Sequence, residues 1–459
     1  MINPKNTLSD FNKVYFIGIG GIGMSALAKY FKRKNWEVAG YDKTPTQLTK
    51  DLESIGIQIH FDDNIASIPN SFLVNDSVLI IYTPAIPNDH TELNYFRKND
   101  FHILKRSEVL GLISASSKAI AVAGTHGKTT TSSMMSYMLS NSHLGCNAFL
   151  GGIAVNFNSN LFLNEANTEY TVVEADEFDR SFLKLSPFST IITSVDPDHL
   201  DIYESQDEFI KGFKEFASLV DPRGWTIIRE GLPIQTEHQC LTYAVNSSSA
   251  DFCAYNLRFT DGLFRMDVKT PSGHMNDVKL GVPGIHNAEN ALACIAMAYT
   301  LKISEEIMRF SLESFLGVKR RFEYIIRQKD FVFIDDYAHH PTEIKALIDS
   351  VKLLYPKKKI CGIFQPHLFS RTRDFFDGFV EELSRLDQLI LMPIYPAREL
   401  PIPGITSDAI FNKIDIDEKY IFNHEQIIAY FSQHQPEVLL TIGAGNIDLL
   451  IQPLKENWL

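Results

Sequence analysis

One stretch constrains the fold more than any other: Ala119-Ile-Ala-Val-Ala-Gly-Thr-His-Gly-Lys-Thr-Thr-Thr131. An apolar run of strand type breaks into a glycine turn and leads to a helical stretch, Ser132–Leu139. Strand, loop and helix in that order are what a phosphate-binding loop needs, because backbone N–H groups and the helix N-terminus converge on phosphate oxygens. Gly124, Thr125, His126, Gly127, Lys128, Thr129 and Thr130 would line the phosphates of ATP or GTP. Lys128 would reach the terminal phosphates and the Thr129 hydroxyl would sit on Mg²⁺. Val122 stands where the generic pattern has its first glycine, but Gly124-x-x-Gly127-Lys128-Thr129 remains. A bare glycine turn with a surface lysine is the plainer reading. The strand before it and the threonine run after it disfavour that.

A chain of 459 residues exceeds one ordinary core, and about three domains are expected. A composition shift at Ser114–Ser117 and an Arg-Arg-Phe hinge at 320–322 put the limits at 1–114, 115–322 and 323–459. The net charge of −13 argues against a general nucleic-acid partner. Anionic ligands must then be held by local Lys, Arg and N–H clusters. The five cysteines form no C-x-x-C pair, which reads as reduced thiols and neither zinc nor a disulfide frame. The N-terminus shows no signal-peptide apolar region, and no apolar run reaches about 18 residues. A cytoplasmic protein with no membrane partner is expected.

The first third carries Gly18-x-Gly20-x-x-Gly23 after the strand Val14–Ile17 and before the helix Met24–Lys34. A second strand, Glu37–Tyr41, ends at Asp42. This is a Rossmann fingerprint, in which glycines let a pyrophosphate approach a helix N-terminus and an acidic residue meets a ribose. NAD, FAD and a UDP-sugar all satisfy it. Gly18, Gly20, Gly21, Gly23, Met24, Ser25 and Asp42 are the binding candidates, with Thr83 and Ala85 at the end of the strand from Leu79. Lys105 and Arg106, after the short strand Phe101–Leu104, would neutralise phosphate.

The middle third adds Tyr170-Thr-Val-Val-Glu-Ala-Asp-Glu-Phe-Asp179, a strand ending in four carboxylates. Their repulsion would be relieved by a divalent cation, for which Glu174 is the chosen ligand. The strand Thr190–Val195 ends in Asp196-Pro-Asp-His-Leu-Asp201, where His199 is a second candidate ligand. Asn287 and Asn290 open the helical run Ala288–Leu301, placed to cap it and to contact the adenine or ribose side. The last third alternates strands (Phe331–Tyr337, Lys359–Phe364, Leu389–Tyr395, Glu437–Ile442) with helices, as a parallel sheet requires. Pro341 sits in the first turn of a helix through Leu354.

Seven motifs in order resemble the Mur ligases of bacterial cell-wall synthesis. They are Gly18-Ile-Gly-Gly-Ile-Gly-Met-Ser25, Gly124-Thr-His-Gly-Lys-Thr-Thr130, Glu174-Ala-Asp-Glu177, Asp198-His-Leu-Asp201, His286-Asn-Ala-Glu-Asn290, Arg320-Arg-Phe-Glu323 and Asp335-Asp-Tyr-Ala-His-His-Pro-Thr-Glu343. The resemblance implies an α/β protein of three domains: an N-terminal Rossmann-like UDP-substrate domain, a central P-loop ATPase and a C-terminal Rossmann-like amino-acid domain. It implies an ATP-dependent ligase of peptidoglycan precursor synthesis that uses Mg²⁺ or Mn²⁺ and works as a monomer or homodimer. The member most resembled joins L-alanine to the lactyl carboxylate of UDP-N-acetylmuramate through an acyl phosphate. By the same resemblance Arg321 meets the ATP phosphates, Asp336 holds the nucleotide, and Tyr337 and His339 face the reacting centre. His367 and Arg371 would grip the amino-acid carboxylate, and His199 or His339 would take the amine proton. Many members carry Arg after that His; here Leu368 stands, with Arg373 or Arg398 as replacements. The alternatives are a ligase that recycles murein tripeptide, a non-catalytic UDP-sugar sensor, and an NAD-dependent oxidoreductase.

Overall fold

The structure is a computed structural model that describes residues 8–74, 77–166, 168–196, 203, 205–260, 263–397 and 399–458. It divides into two compact units. One holds Met1–Tyr255, Asp267–Val278 and Glu289–Phe315; the other holds Asn256–Met266, Lys279–Ala288 and Leu316–Leu459.

The first sheet has five parallel strands, β1 Lys13–Ile17, β2 Glu37–Tyr41, β3 Gln58–His60, β4 Val78–Tyr82 and β5 His102–Lys105. Their order is β3-β2-β1-β4-β5. Val14–Ile17 and Val78–Ile81 are fully buried, so these strands read as unbroken apolar runs because both faces are covered. Strand order reverses between β1 and β4. Ligands of open α/β sheets bind at such a switch point, beyond the strands' carboxyl ends.

The second sheet contains β6 Lys118–Ala123, β7 Asn147–Ala154, β8 Ser159–Phe162, β9 Tyr170–Ala175, β10 Ser189–Ile192, β11 Thr226–Arg229, β12 Cys240–Val245, β13 Phe252–Thr260, β14 Leu263–Thr270 and β15 Gly273–Leu280. Its order is β15-β14-β13-β12-β11-β10-β6-β9-β7-β8. Ala123 at the end of β6 pairs with Ala175 of β9 and Ile192 of β10. Three strand ends therefore meet where the phosphate loop begins. The strand expected over 190–195 stops at Ile192, because from Thr193 the chain turns its hydrogen bonds onto that loop. The helix expected from Ser132 already starts at Lys128, so Lys128–Thr131 form its first turn.

A helix over Gln206–Ser218 shows how the core is built. Ser205 caps it by accepting from Glu208 N, and Asp207 and Glu208 favour its positive end. Phe209, Gly212, Phe213, Phe216 and Ala217 recur at helical spacing and are buried. Phe213 meets the rings of Phe182 and Phe209 at 5.1 and 5.2 Å.

The third sheet comprises β16 Glu323–Arg327, β17 Val332–Asp336, β18 Ile360–Phe364, β19 Gln388–Leu391, β20 Glu418–Ile421 and β21 Val438–Ile442. The order is β16-β17-β21-β18-β19-β20, parallel except at β16. β19 ends before Pro393, which has no N–H to extend the ladder. Pro341 is the first residue of the helix Pro341–Leu354, capped by the His340 ring. Among the described residues no helix is long and apolar enough to cross a membrane.

Phe213→Ala removes a fully buried ring from this aromatic cluster and is expected to cost about 3–5 kcal/mol. Urea unfolding followed by circular dichroism measures it; an unchanged midpoint would contradict the packing described.

Candidate active site

The loop 124–127 is braced by backbone and side-chain bonds. Gly124 has φ +138°, and a Cβ there would collide with the Thr193 hydroxyl and lie 2.8 Å from Ser194 N. Thr125 N and His126 N donate to Ser194 O (3.3 Å) and Ser194 Oγ (2.9 Å). Thr125 Oγ1 donates to Asp196 O at 2.7 Å, and Thr193 Oγ1 donates to His126 O at 2.5 Å. Gly127 is left-handed, with φ +81°, and a Cβ there would lie 2.7 Å from Asn290 Oδ1. As a glycine it caps the helix Lys128–Ser140 without a side-chain cap hydrogen bond. A loop that bends through glycines and opens a helix without a side-chain cap fits a phosphate group.

Lys128 and Thr130 belong to that first turn, and Thr129 and Thr130 are buried. Lys128 Nζ donates to Gly124 O at 2.6 Å and to Glu177 at 2.7 Å (Oε2) and 2.9 Å (Oε1). Burial works against the lysine charge, but the carboxylates of Glu177, Asp176 and Glu174 outweigh it and raise its pKa. Glu174 projects from β9, where it accepts from Gly151 N at 3.1 Å. Thr129 and Glu174 offer hydroxyl and carboxylate oxygens, the donors that suit a hard cation completed by phosphate and water. Among the described residues no group of three His, Cys, Asp or Glu assembles into a metal site. His199, expected as a metal ligand, lies outside the described residues, as does Arg398.

The N-terminal loop is organised by Asp42. Gly18 N and Ile19 N donate to Tyr41 O, and Gly20 N donates to Asp42 Oδ2 at 2.7 Å. Asp42, expected on a ribose, thus has one oxygen on the glycine loop and the other accepting Thr44 N. Gly21 caps the helix Ile22–Arg33. Met24 and Ser25, expected at the ligand, have buried side chains. The Ser25 hydroxyl donates to Ile22 O and accepts from Asn160 Nδ2. Thr83 and Ala85 follow β4, and a Cβ at Gly18 would lie 2.8 Å from the Thr83 methyl.

Arg106 sits over Gly23, whose Cβ would be 2.6 Å from Nη1, and its Nη2 pairs with Asp176 Oδ2 at 3.2 Å. Gly23, Arg106, Gly151, Glu174 and Asp176 line one cavity of about 100 Å³. The structure thereby brings candidates from the first glycine loop and the acidic strand end together. Asp176 and Glu177 escaped individual assignment. The signal was the repulsion among four clustered carboxylates, which three cations, Lys105, Arg106 and Lys128, partly relieve here.

In the other unit, β17 ends at Asp335 and Asp336. Asp336 accepts Phe322 N (2.7 Å) and Ala338 N (2.8 Å), so both oxygens order the surrounding chain. Burial pushes its pKa up to about 6 despite Arg321. Arg320 and Phe322 are left-handed, at φ +60° and +50°. The Arg320 and Arg321 guanidinium groups lie 4.9 and 5.1 Å from the Tyr337 ring centre, and Arg321 also pairs with Glu343 at 3.7 Å. Arg320, not anticipated, also donates to Gly443 O at 2.7 Å.

His339 Nδ1 donates to Tyr337 O at 2.9 Å and faces Glu343 at 3.3 Å. A carbonyl can only accept, so Nδ1 carries the proton and Nε2 keeps a lone pair. Burial lowers the His339 pKa. His367 is pushed down to about 4, first by burial and then by His339 and Arg371. Its neutral Nδ1 lies 3.3 Å from Arg371 Nη1, and its ring stacks on Tyr395. Leu368 has φ +72°. Asn287 Nδ2 donates to Pro283 O at 2.7 Å, and Asn290 lies one turn further along the helix Ile285–Thr300.

This fold carries a strand–glycine loop–helix of phosphate-loop type and a second glycine loop of Rossmann type. The sequence matches the Mur ligase family, catalytic domain, over residues 13–118, the Mur ligase middle domain over 122–298, and the Mur ligase, glutamate ligase domain, over 320–445. The chain belongs to the Mur ligase family. It is 48% identical to the UDP-N-acetylmuramate–L-alanine ligase of Parabacteroides distasonis, covering 97% of this chain and 98% of the relative. The enzyme of the same name from Flavobacterium psychrophilum is also 48% identical, covering 98% of each. Among solved structures, the UDP-N-acetylmuramate–alanine ligase of Thermotoga maritima superposes with a TM-score of 0.84 at 27% identity, covering 97% of this chain and 99% of that one.

Gly124→Ala should drive a methyl into the Thr193 hydroxyl and reshape the loop. Nucleotide affinity is expected to fall about 100-fold, or about 2.8 kcal/mol, read by titration with a fluorescent ADP analogue. Wild-type affinity would show that the loop does not hold the phosphates.

Proposed function

We propose that this chain is an ATP-dependent ligase that joins L-alanine to the lactyl carboxylate of UDP-N-acetylmuramate, releasing ADP and phosphate, in peptidoglycan precursor synthesis. The observation that carries the reading is 48% identity, over 97% of the chain, to a ligase of that name. The domain limits 1–114, 115–322 and 323–459 and a cytoplasmic location are part of the proposal.

A carboxylate acylates an amine poorly because oxide is its leaving group. In the first step a lactyl oxygen bonds to the γ-phosphorus of ATP, the β,γ-bridging P–O bond breaks, and ADP leaves. Charge on the transferring phosphoryl group calls for fixed cations, the role given to Lys128 and Arg321. Thr129 and Glu174, with His199, would hold Mg²⁺ or Mn²⁺, which supplies further positive charge to the phosphates when bound. In the second step the alanine nitrogen bonds to the acyl carbon, the C–O bond to phosphate breaks, and inorganic phosphate departs.

The amine must first lose a proton. His339 suits this, because its Nδ1–H is committed to Tyr337 O and its lowered pKa leaves Nε2 free at neutral pH. His367 and Arg371 are given the alanine carboxylate, Asp336, Asn287 and Asn290 the nucleotide side, and Tyr337 the reacting centre. The first glycine loop, with Gly21, Thr83, Ala85 and Arg106, is given the UDP-linked substrate. The cavity between Arg106 and Glu174 is a place for its lactyl end.

ADP release with UDP-N-acetylmuramate, ATP and Mg²⁺ tests the reading. Release is expected with L-alanine and not with murein tripeptide. Release with tripeptide alone would make this a recycling ligase, and release with neither would overturn the ligase reading.

The base assignment carries its own pH signature. A histidine with a lowered pKa is unprotonated above that pKa, so kcat/KM should be flat on this limb at pH 7. It should fall only as pH drops through a value below the ordinary histidine pKa of about 6.5. His339→Gln is expected to remove that limb and to lower kcat about 100-fold or more. Retention of the same acid limb would move the base elsewhere.

A further inference from the structure

Lys128 has three N–H donors, and the geometry accounts for all of them. Two go to the carboxylate of Glu177, at 2.7 and 2.9 Å, and one to Gly124 O at 2.6 Å, with Thr125 O a longer second acceptor at 3.4 Å. The Glu177 side chain is 2% exposed and that of Lys128 13%, so this ion pair is shielded from water and salt. Glu177 is itself fixed. Its carbonyl oxygen accepts from Tyr203 Oη at 2.6 Å and Arg180 N at 3.0 Å, at the start of the 3₁₀ turn Phe178–Lys184. Tyr203 is fully buried. The neighbouring acid Asp176 is engaged by Arg106, which leaves Lys128 to Glu177.

We infer that Glu177 is a positioning residue that competes with nucleotide phosphate for Lys128: a carboxylate stand-in that holds the lysine until the phosphates displace it. The inference rests on the phosphate-loop part of the function proposed above. The carboxylate occupies both donors that point away from the loop. Its negative charge cancels the lysine's attraction for an approaching polyanion, and phosphate oxygens must take over at least one of these bonds. The pair also holds the long lysine side chain in one place before nucleotide arrives.

The consequence is a site that discriminates against nucleotide lacking a cation. Metal-free ADP must overcome Glu177 by itself, whereas bound Mg²⁺ adds positive charge that offsets it.

The test is equilibrium binding of ADP in EDTA and in Mg²⁺, by calorimetry, with wild-type protein, Glu177→Gln and Glu177→Asp. Glu177→Gln keeps the shape and one acceptor but removes the charge. It is expected to bind metal-free ADP about ten-fold tighter, with a smaller gain from Mg²⁺ than wild type shows. Glu177→Asp keeps the charge with a shorter reach and is expected to fall between the two. It also serves if the glutamine variant does not fold. Unchanged or weaker binding of metal-free ADP in the folded variants would overturn the inference, because loss of a merely structural ion pair lowers stability without tightening a ligand. Binding of UDP-N-acetylmuramate should not change. If wild type makes product with L-alanine while the variants bind ADP like wild type, the stand-in role fails and the ligase reading holds. If the variants bind metal-free ADP tighter while wild type makes no product, the stand-in role holds and the ligase reading fails.

Discussion

The in-register parallel pairing of β6 with β9 and β10 is the constraint on which the nucleotide site depends. It puts the carboxyl ends of three strands side by side at Ala123, Ala175 and Ile192. One residue further on, each strand supplies a different part: a glycine bend, a run of carboxylates, and hydroxyls that tie down the bend. None of these elements would be useful alone. A phosphate loop without Thr193 and Ser194 would lose the contacts that fix residues 124–126. A carboxylate cluster without Lys105, Arg106 and Lys128 would be left with its own repulsion. Register is a property of the whole strand set, so slippage by one residue would turn these side chains to the other face.

The same arrangement recurs at lower charge density in the first sheet. There the switch point between β1 and β4 places the glycine loop, Thr83 and Arg106 within one neighbourhood, and the loop is held by a carboxylate, Asp42, that bonds Gly20 N. A third version appears at the end of β17, where Asp336 bonds the N–H groups of Phe322 and Ala338. In both of these places an acidic side chain at a strand end bonds the backbone of a neighbouring loop.

Much of this was legible in the sequence. Unbroken apolar runs marked the buried parallel strands, and glycine spacing marked both loops and the helices after them. What could not be read was partnership. The run Glu174-Ala-Asp-Glu177 announces repulsion and therefore a cation, but does not say which carboxylate meets it. The structure gives Asp176 to Arg106 and Glu177 to Lys128, pairs that are 70 and 49 residues apart in the chain. Nor does the sequence show that the side chains of Ser25 and Met24, expected at the ligand, turn toward Asn160 and the core. Strand ends were misjudged where side chains or proline redirect the ladder, at Thr193 and Pro393.

The left-handed residues at 320 and 322 bear on how this segment can drift in sequence. They flank Arg321, whose guanidinium lies by Tyr337. Arg320 and Phe322 sit in a backbone region that glycine and asparagine enter freely and β-branched residues resist. Side-chain chemistry at these two positions is therefore filtered twice, once by contacts and once by backbone shape. Asparagine or glycine would keep the bend and lose the contacts, while valine or isoleucine would oppose the bend itself. The direction in which Arg321 leaves the chain is inherited from its neighbours, and a substitution that never touches a ligand can re-aim it.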